Sequence, residues 1–376
     1  MAEPFKNLLN PALVRASSVA LARAWSVFDR NGFERIALKG LDALEMKARA
    51  MQIADALEAV MPDDFDAACA VIEAALAPPI AVDGEAAQRE VEGLAGWIVW
   101  PLGEFVARRG LDHPERALLA LHALTQRLTA EFAIRPLIVR HPALVFNTLL
   151  AWTRDPSAHV RRLASEGSRP RLPWGLQLKS LIADPSPTLP ILTALQDDPS
   201  EYVRRSVANH LNDIAKDHPQ LVVDWVQQHL PSASAERRAL LSHASRTLIK
   251  RGHAGMLTLW GAGSAFEGRC TLKVAPRRAS VGESVQLVLS LRSDSTAAQT
   301  LLIDYAVHHV KANGSTSAKV FKGWKLTLAA GESRTLRRQH SFKAVTTRRY
   351  HAGLQAIDVS INGGVAANAS VTLSLP

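Results

Sequence analysis

A chain of 376 residues, 47% hydrophobic and 21% charged, is longer than one average domain and has an ordinary globular composition, which excludes a disordered or low-complexity protein. No run approaches the roughly eighteen uninterrupted apolar residues that a membrane-crossing helix needs. The start, Met1-Ala2-Glu3-Pro4-Phe5-Lys6, has no basic region followed by an apolar stretch, so a cytoplasmic location away from membranes is expected. Two cysteines, Cys69 and Cys270, give neither a disulfide framework nor a cysteine-based zinc site, and both are expected to be reduced and inert.

The net charge of +9 is unevenly spread: −6 over residues 1–132, +6 over 133–264 and +9 over 265–376. A surface that meets a polyanion is therefore expected in the last two thirds of the chain, with nucleic acid, anionic lipid and acidic protein all open as partners.

From Leu8 to about Gly261 apolar residues recur at helical spacing, as in Leu41, Leu44, Met46, Ala48, Met51, Ala54, Leu57 and Val60, and this part reads as all-α. His113-Pro114, His141-Pro142, Asp184-Pro185 and His218-Pro219 each open a new apolar-periodic run. Asp155-Pro-Ser-Ala-His-Val-Arg-Arg162 and Asp198-Pro-Ser-Glu-Tyr-Val-Arg-Arg205 agree at six of eight positions with an offset of 43, a HEAT-type period. The repeated Asp is expected to cap a helix whose first residue is the Pro, with the Val packed inward. The Arg pair then faces solvent or the neighbouring repeat, and stacked pairs make an all-α HEAT-like helical repeat solenoid.

After Trp260-Gly-Ala-Gly263 the pattern changes to alternating, β-branched segments. Seven strands are predicted, at 270–275, 284–292, 301–311, 319–327, 333–342, 350–361 and 365–375, and their number and spacing suggest an all-β Ig-like sandwich. The expected division is 1–263 for the helical domain and 265–376 for the sandwich. Basic residues gather there, and Arg348-Arg349, after Thr346-Thr347, are candidates for clamping a phosphate backbone, with plain solvated charge as the alternative for most of the others.

A Walker loop, a Gly-x-Ser-x-Gly elbow and a His-Glu-x-x-His helix are all missing, which disfavours nucleotide hydrolysis and zinc chemistry. The segment from Trp152 to Trp174 is unusually dense in Arg and Trp. Gly167 ends a predicted helix and leaves Glu166 in its last turn, an unfavourable place for a carboxylate unless a cation or a function holds it there. Pairing with Arg162, four residues earlier, is one account. The other needs a second carboxylate, for which Glu131, near the end of a helix in the preceding repeat, is the candidate.

The run from Trp152 to Trp174, together with the stretch from Asp198 to Pro219, resembles the DNA alkylation repair enzymes with HEAT-like repeats, and within them the AlkC branch of 3-methyladenine glycosylases. The opening Phe5-Lys6-Asn7-Leu8-Leu9-Asn10 is similar to the start of that branch, so the resemblance covers roughly residues 4–260. It implies a monofunctional DNA glycosylase that hydrolyses the N-glycosidic bond of a cationic alkylated base, chiefly N3-methyladenine and secondarily N3-methylcytosine. No metal and no organic cofactor are implied, and the base is expected not to be flipped into a deep pocket. A cationic base is already a good leaving group, so a carboxylate that stabilises the oxocarbenium-like sugar and orients water is enough.

On this reading Glu166 and Glu131 are the catalytic candidates, while Trp174 and Trp152 contact lesion or sugar through cation–π and C–H contacts. Arg161, Arg162, Arg169, Arg171, Arg204, Arg205, Asn209 and His210 contact DNA, at most half of them directly. The expected partner is double-stranded DNA containing alkylated bases, bound by a monomer. Two rivals remain: a non-enzymatic HEAT scaffold for an acidic protein, and a binder of structured RNA or branched DNA without chemistry.

Overall fold

The computed structural model of the protein describes residues 4–80, 92–345 and 348–375. It opens with a 3-10 turn, Phe5–Leu8, followed by α1 (Pro11–Ala24), α2 (Arg30–Ala37), α3 (Met46–Val60), α4 (Phe65–Ala75), α5 (Val99–Arg109), α6 (Pro114–Thr125), α7 (Ile134–Arg140) and α8 (Pro142–Trp152). Then come α9 (Ala158–Glu166), α10 (Lys179–Ala183), α11 (Leu189–Leu195), α12 (Glu201–Ile214), α13 (Pro219–His229), α14 (Ala235–Ala244), α15 (Arg246–Lys250) and α16 (Ala254–Leu259). The all-α part is followed by an all-β part from Gly268 onward.

By packing, the chain divides into two compact units: Met1–His218 with Ser232–Ala244, and Pro219–Pro231 with Ser245–Pro376. The change of secondary structure and the division by packing thus do not coincide, because α13, α15 and α16 belong to the second unit. Among the described residues no helix is long and apolar enough to cross a membrane.

In the first unit, helices pack mostly on near neighbours in sequence, α2 on α3, α5 on α6, α8 on α9 and α9 on α12. Pro114 and Pro142 stand at the first helical position, where a missing amide proton costs no intrahelical bond. The residue before each is a histidine, and His141 Nε2 lies 2.6 Å from the carbonyl of Leu111.

The two repeated octapeptides have the same geometry, though it differs from the expected cap. Asp155 Oδ1 accepts from the amide of Ser157 (2.7 Å) and Asp198 Oδ1 from that of Ser200 (2.9 Å). Each Asp therefore closes an Asx turn, and the helices start after Ser157 and Ser200, two residues later than expected. Pro lies in the turn, so the short acidic side chain satisfies an amide two residues on instead of the first helical turn. Val160 and Val203 are fully buried.

The first Arg of each octapeptide folds back on its own turn. Arg161 Nη1 donates to the carbonyls of Asp155 (2.9 Å) and Pro156 (3.0 Å), and Arg204 Nη1 to those of Asp198 (2.6 Å) and Pro199 (2.8 Å). Arg161 also reaches the next repeat, donating from Nε and Nη2 to the two carboxylate oxygens of Asp198 at 2.6 and 3.0 Å. In the preceding repeat His122 meets Asp155 in the same way, at 2.7 Å. A bidentate guanidinium–carboxylate pair fixes the spacing of α9 and α12 in both distance and plane.

The second unit carries two sheets, one of order β1-β3-β6 and one of order β2-β8-β7-β4-β5, formed by β1 (Gly268–Ala275), β2 (Arg278–Ser280), β3 (Ser284–Ser293), β4 (Gln299–Val310), β5 (Thr316–Leu328), β6 (Ser333–Ser341), β7 (Gly353–Ile361) and β8 (Gly364–Ser374). Alternate residues of both, including Leu287, Leu289, Ile303, Val307, Ile357 and Val371, share one buried cluster, as a sandwich requires. Seven of the eight strands among the described residues were legible as alternating segments. Strand β2 was not: three residues show no periodicity, and it forms by pairing parallel with β8. The strand expected from Tyr350 begins instead at Gly353, which has a φ of 134°.

Replacing Asp198 by Asn keeps the Asx turn but leaves Arg161 without its charge partner in a nearly dry site. We expect a loss of about 3 kcal/mol in urea unfolding. Asp155→Asn is expected to cost less, because a histidine partner can stay neutral. Equal losses would show that the Arg161–Asp198 pair is not what holds the two helices.

Candidate active site

Glu166 is the last residue of α9, and the chain can turn there because Gly167 is small. A Cβ on Gly167 would lie 2.6 Å from Ile134 Cγ2 and 2.9 Å from the Leu163 carbonyl. The helix end is thereby pressed against α7, and Glu166 is only 5% exposed. Glu131 does not sit near the end of a helix as expected. It lies in the turn between α6 and α7, where the Thr129 hydroxyl donates to its Oε2 at 2.9 Å. Apolar spacing continued past Thr125, but Arg127 leaves the helix to donate to the Ala77 carbonyl at 2.6 Å.

Arg162 joins the two acids, with Nη1 2.9 Å from Glu131 Oε2 and Nη2 3.6 Å from Glu166 Oε1. Its guanidinium also lies over the Tyr202 ring, 4.8 Å from the centroid. Arg169 Nη1 donates to Glu166 Oε1 at 2.6 Å, and the Ser206 hydroxyl donates to Oε2 at 2.6 Å. On its other side Arg169 Nε donates to Asp213 Oδ2 at 2.8 Å, and Lys216 Nζ donates to Asp213 Oδ1 at 2.7 Å. Three acids and three bases thus alternate from Glu131 to Lys216.

Burial by itself would weaken the protonation of Arg162 and Arg169. The carboxylates facing them outweigh it, so both hold their protons more firmly than a free arginine. Burial, assisted by the charge of Arg169, pulls Arg135 the other way, to about 10, which still leaves it charged at neutral pH. Arg135 donates from Nε to the carbonyl of Leu176 (2.5 Å) and from Nη1 to that of Gly167 (2.8 Å), fixing both ends of the loop after α9.

This loop carries Trp174, 66% exposed and with a φ of 66°. The left-handed conformation costs an ordinary residue about 1–2 kcal/mol. Trp174, Trp97, Trp100, Phe132, Glu131, Glu166 and Arg169 line one cleft of about 270 Å³. That is below the roughly 300–1,000 Å³ of enclosed ligand pockets. Among the described residues no group of three or more His, Cys, Asp or Glu is placed to hold a metal ion.

Residues 128–248 match the family described as DNA alkylation repair enzyme, and residues 269–375 match the C-terminal Ig-like domain of the protein YhaZ. YhaZ of Bacillus subtilis (strain 168) is 36% identical over 366 residues, which is 96% of each chain. The Pseudomonas fluorescens alkylpurine DNA glycosylase AlkC, solved with DNA containing an abasic-site analogue, superposes with a TM-score of 0.88 at 34% identity, covering 99% of this chain and 100% of that one. The chain belongs to the AlkC-type DNA alkylation repair enzymes. The same likeness extends over both the helical part and the Ig-like sandwich.

In this AlkC-type chain the structure gathers Glu131, Glu166, Arg162, Arg169 and Trp174, and separates the other expected residues from them. Trp152 packs against His122, 5.5 Å between ring centroids, and does not line the cleft. Arg161 and Arg204 are spent on turn carbonyls, Arg171 forms a bidentate pair with Asp217 at 2.7 and 2.8 Å, and Arg205 meets Glu201 on an exposed face. Asn209 lies 2.9 Å from His243 Nε2.

His210, expected to offer hydrogen bonds to DNA, is fully buried with Nδ1 2.9 Å from the Ser165 carbonyl, so it acts inside the fold. Arg348 donates to His309 Nε2 at 2.7 Å and lies over Tyr350, whereas Arg349 is exposed; Thr346 and Thr347 fall outside the described residues. Sequence reasoning missed Asp213, Ser206, Tyr202, Trp97 and Arg135. Asp213 and Ser206 lie within the Asp198 to Pro219 stretch, but only their contacts with α9 and its loop distinguish them.

Burial, reinforced by Arg169, pushes the His210 imidazole down to about 3. An unfolded histidine takes up a proton near pH 6.5, so the native state is at full strength above that value and loses stability as pH falls toward 3. We expect His210→Asn to reduce the wild-type slope of unfolding free energy between pH 6 and 4 by up to about 1.4 kcal/mol per pH unit. Urea titrations at stepped pH measure it, and parallel slopes would contradict the buried neutral histidine.

Proposed function

We propose that this chain is a monofunctional DNA glycosylase that hydrolyses the N-glycosidic bond of cationic N3-alkylated bases, N3-methyladenine first and N3-methylcytosine second. The observation that carries the reading is the meeting of Glu131 and Glu166, from different helical repeats, in one aromatic-walled cleft. The relative AlkC, bound to abasic-site DNA, supports it.

As the bond between C1′ and the base breaks, its electron pair goes to the base, which leaves neutral, and positive charge develops on the sugar. Glu166, held on both oxygens by Arg169 and Ser206, supplies a fixed negative charge beside that sugar. Glu131, on a turn and held on one oxygen, orients the water that bonds to C1′ and accepts its proton. Trp174 offers a π face to the cationic base before cleavage and loses that attraction once the base is neutral. A shallow, open cleft fits a lesion gripped without extrusion into a deep pocket.

Double-stranded DNA is the proposed partner, met through the basic last two thirds of the chain, with the exposed Arg349 the best placed of the expected sandwich residues. A scaffold accounts for Arg161 and Arg204, which are structural. It gives no reason to bring a buried and a half-buried acid together against aromatic side chains, since each acid must be desolvated and compensated.

Glu166→Gln should lower single-turnover release of 3-methyladenine from methylated duplex by roughly a hundredfold or more. Affinity for an abasic-site duplex should change little. Glu131→Gln should show a smaller loss with the same pattern. Wild-type protein that binds the duplex yet releases no base would support the non-catalytic reading instead.

A further inference from the structure

Trp174 holds an unusual position for an exposed side chain. Its backbone is left-handed, the indole is two-thirds exposed, and yet it forms one wall of the carboxylate cleft. The loop that carries it is tied down at Gly167 and Leu176 by Arg135, which fixes the ends and not the ring. An aromatic side chain with that much solvent contact and an unfavourable backbone is kept in one orientation only by the few neighbours that touch it.

One such neighbour comes from the first turn of the described chain, the half-exposed Phe5. Phe5 stands 5.8 Å from Trp174, tilted by 58°, and 4.7 Å from Trp97 in an edge arrangement of 85°. Both distances lie in the range of favourable aromatic pairs, and the Phe5–Trp97 angle is that of an edge-to-face pair. Phe5 would be a poor support if its own turn were loose. It is not: buried Arg49 donates from Nη1 to the carbonyls of Lys6 (3.1 Å) and Leu9 (2.9 Å), and the Lys6 ammonium lies 2.7 Å from Glu45. The remaining guanidinium nitrogens of Arg49 donate to the carbonyls of Leu44 and Asp42, so the anchor is fixed to the residues just before α3.

We propose that Phe5 is a positioning residue: wedged between Trp97 and Trp174, it holds the Trp174 indole across the mouth of the carboxylate cleft, and so sets how firmly the cationic base is gripped. The proposal rests on the excision reading for its catalytic consequence, and on the three rings alone for its structural one. Phe5 touches neither carboxylate and acts only through Trp174.

The test is a double-mutant cycle on the full-length protein. Phe5→Ala should slow single-turnover release of 3-methyladenine roughly tenfold, the order expected when a binding group is displaced by a fraction of an ångström. Trp174→Ala should slow it at least as much, and adding Phe5→Ala to it should cost nothing further. Phe5→Tyr should restore most of the rate. Losses that multiply in the double variant, or wild-type release by Phe5→Ala, overturn the proposal.

A second measurement needs no DNA. The fluorescence component that disappears in Trp174→Phe should lose anisotropy when Phe5 is Ala; an unchanged anisotropy means that Phe5 does not hold the ring. Should the wild type release no base, the excision reading fails and this arm alone decides the contact. Phe5→Leu replaces Phe5→Ala in both arms if the alanine variant does not fold.

Discussion

Burying a carboxylate removes the water that stabilises its charge, and two carboxylates brought close together repel one another. The chain of charges from Glu131 through Arg162, Glu166, Arg169 and Asp213 to Lys216 resolves that conflict. Every acid in it faces a guanidinium or ammonium group, so no charge is left alone. The ions are also locked in position by helices α9 and α12 and by the turn before α7. The price of this arrangement is rigidity of placement: moving any one member strands its neighbour. The cleft, the Trp174 loop and the buried His210 all depend on α9 and α12 staying in register.

The doubled octapeptide shows how a repeat supplies both a scaffold and a site. In each copy the first Arg closes the turn from which its helix starts, and in the earlier copy it also clasps the Asp of the next. The second Arg has no fixed duty. Arg162 finds two acids and a Tyr ring around it, whereas Arg205, at the equivalent place one repeat later, pairs with Glu201 on the surface. The same residue in the same local geometry is a link in a buried charge chain in one repeat and surface charge in the next, because the neighbouring repeat presents different partners.

The sandwich follows a simpler rule. Alternation along each strand was enough to show seven of its eight strands, since period-two burial leaves a direct trace in sequence. Its buried histidines left no such trace. His309 and His340 lie among aromatic rings, and burial pushes both down to about 4, so that His309 remains neutral and can accept from Arg348. A basic residue that looked like a free clamp is thereby partly committed to the fold.

Local and nearest-neighbour physics was readable directly: helical periods, the 43-residue repeat, the helix starts at Pro114, Pro142 and Pro219, most of the strands, and the anomaly of Glu166 before Gly167. The residues themselves singled out Glu131 and Trp174, and motif resemblance added the kind of enzyme and the roles expected of them. What the sequence could not decide was which of many Arg, Trp and polar residues share a site. Trp152 and Trp174 look alike as letters, and so do Arg161 and Arg162; one residue of shift on a helix turns a side chain by about 100° and changes its partner altogether. Trp97, Ser206 and Asp213 join the cleft or its charge chain, and Phe5 meets Trp174, across separations that no local pattern records, because those contacts are fixed by how the helices pack and not by what precedes or follows each residue in the chain.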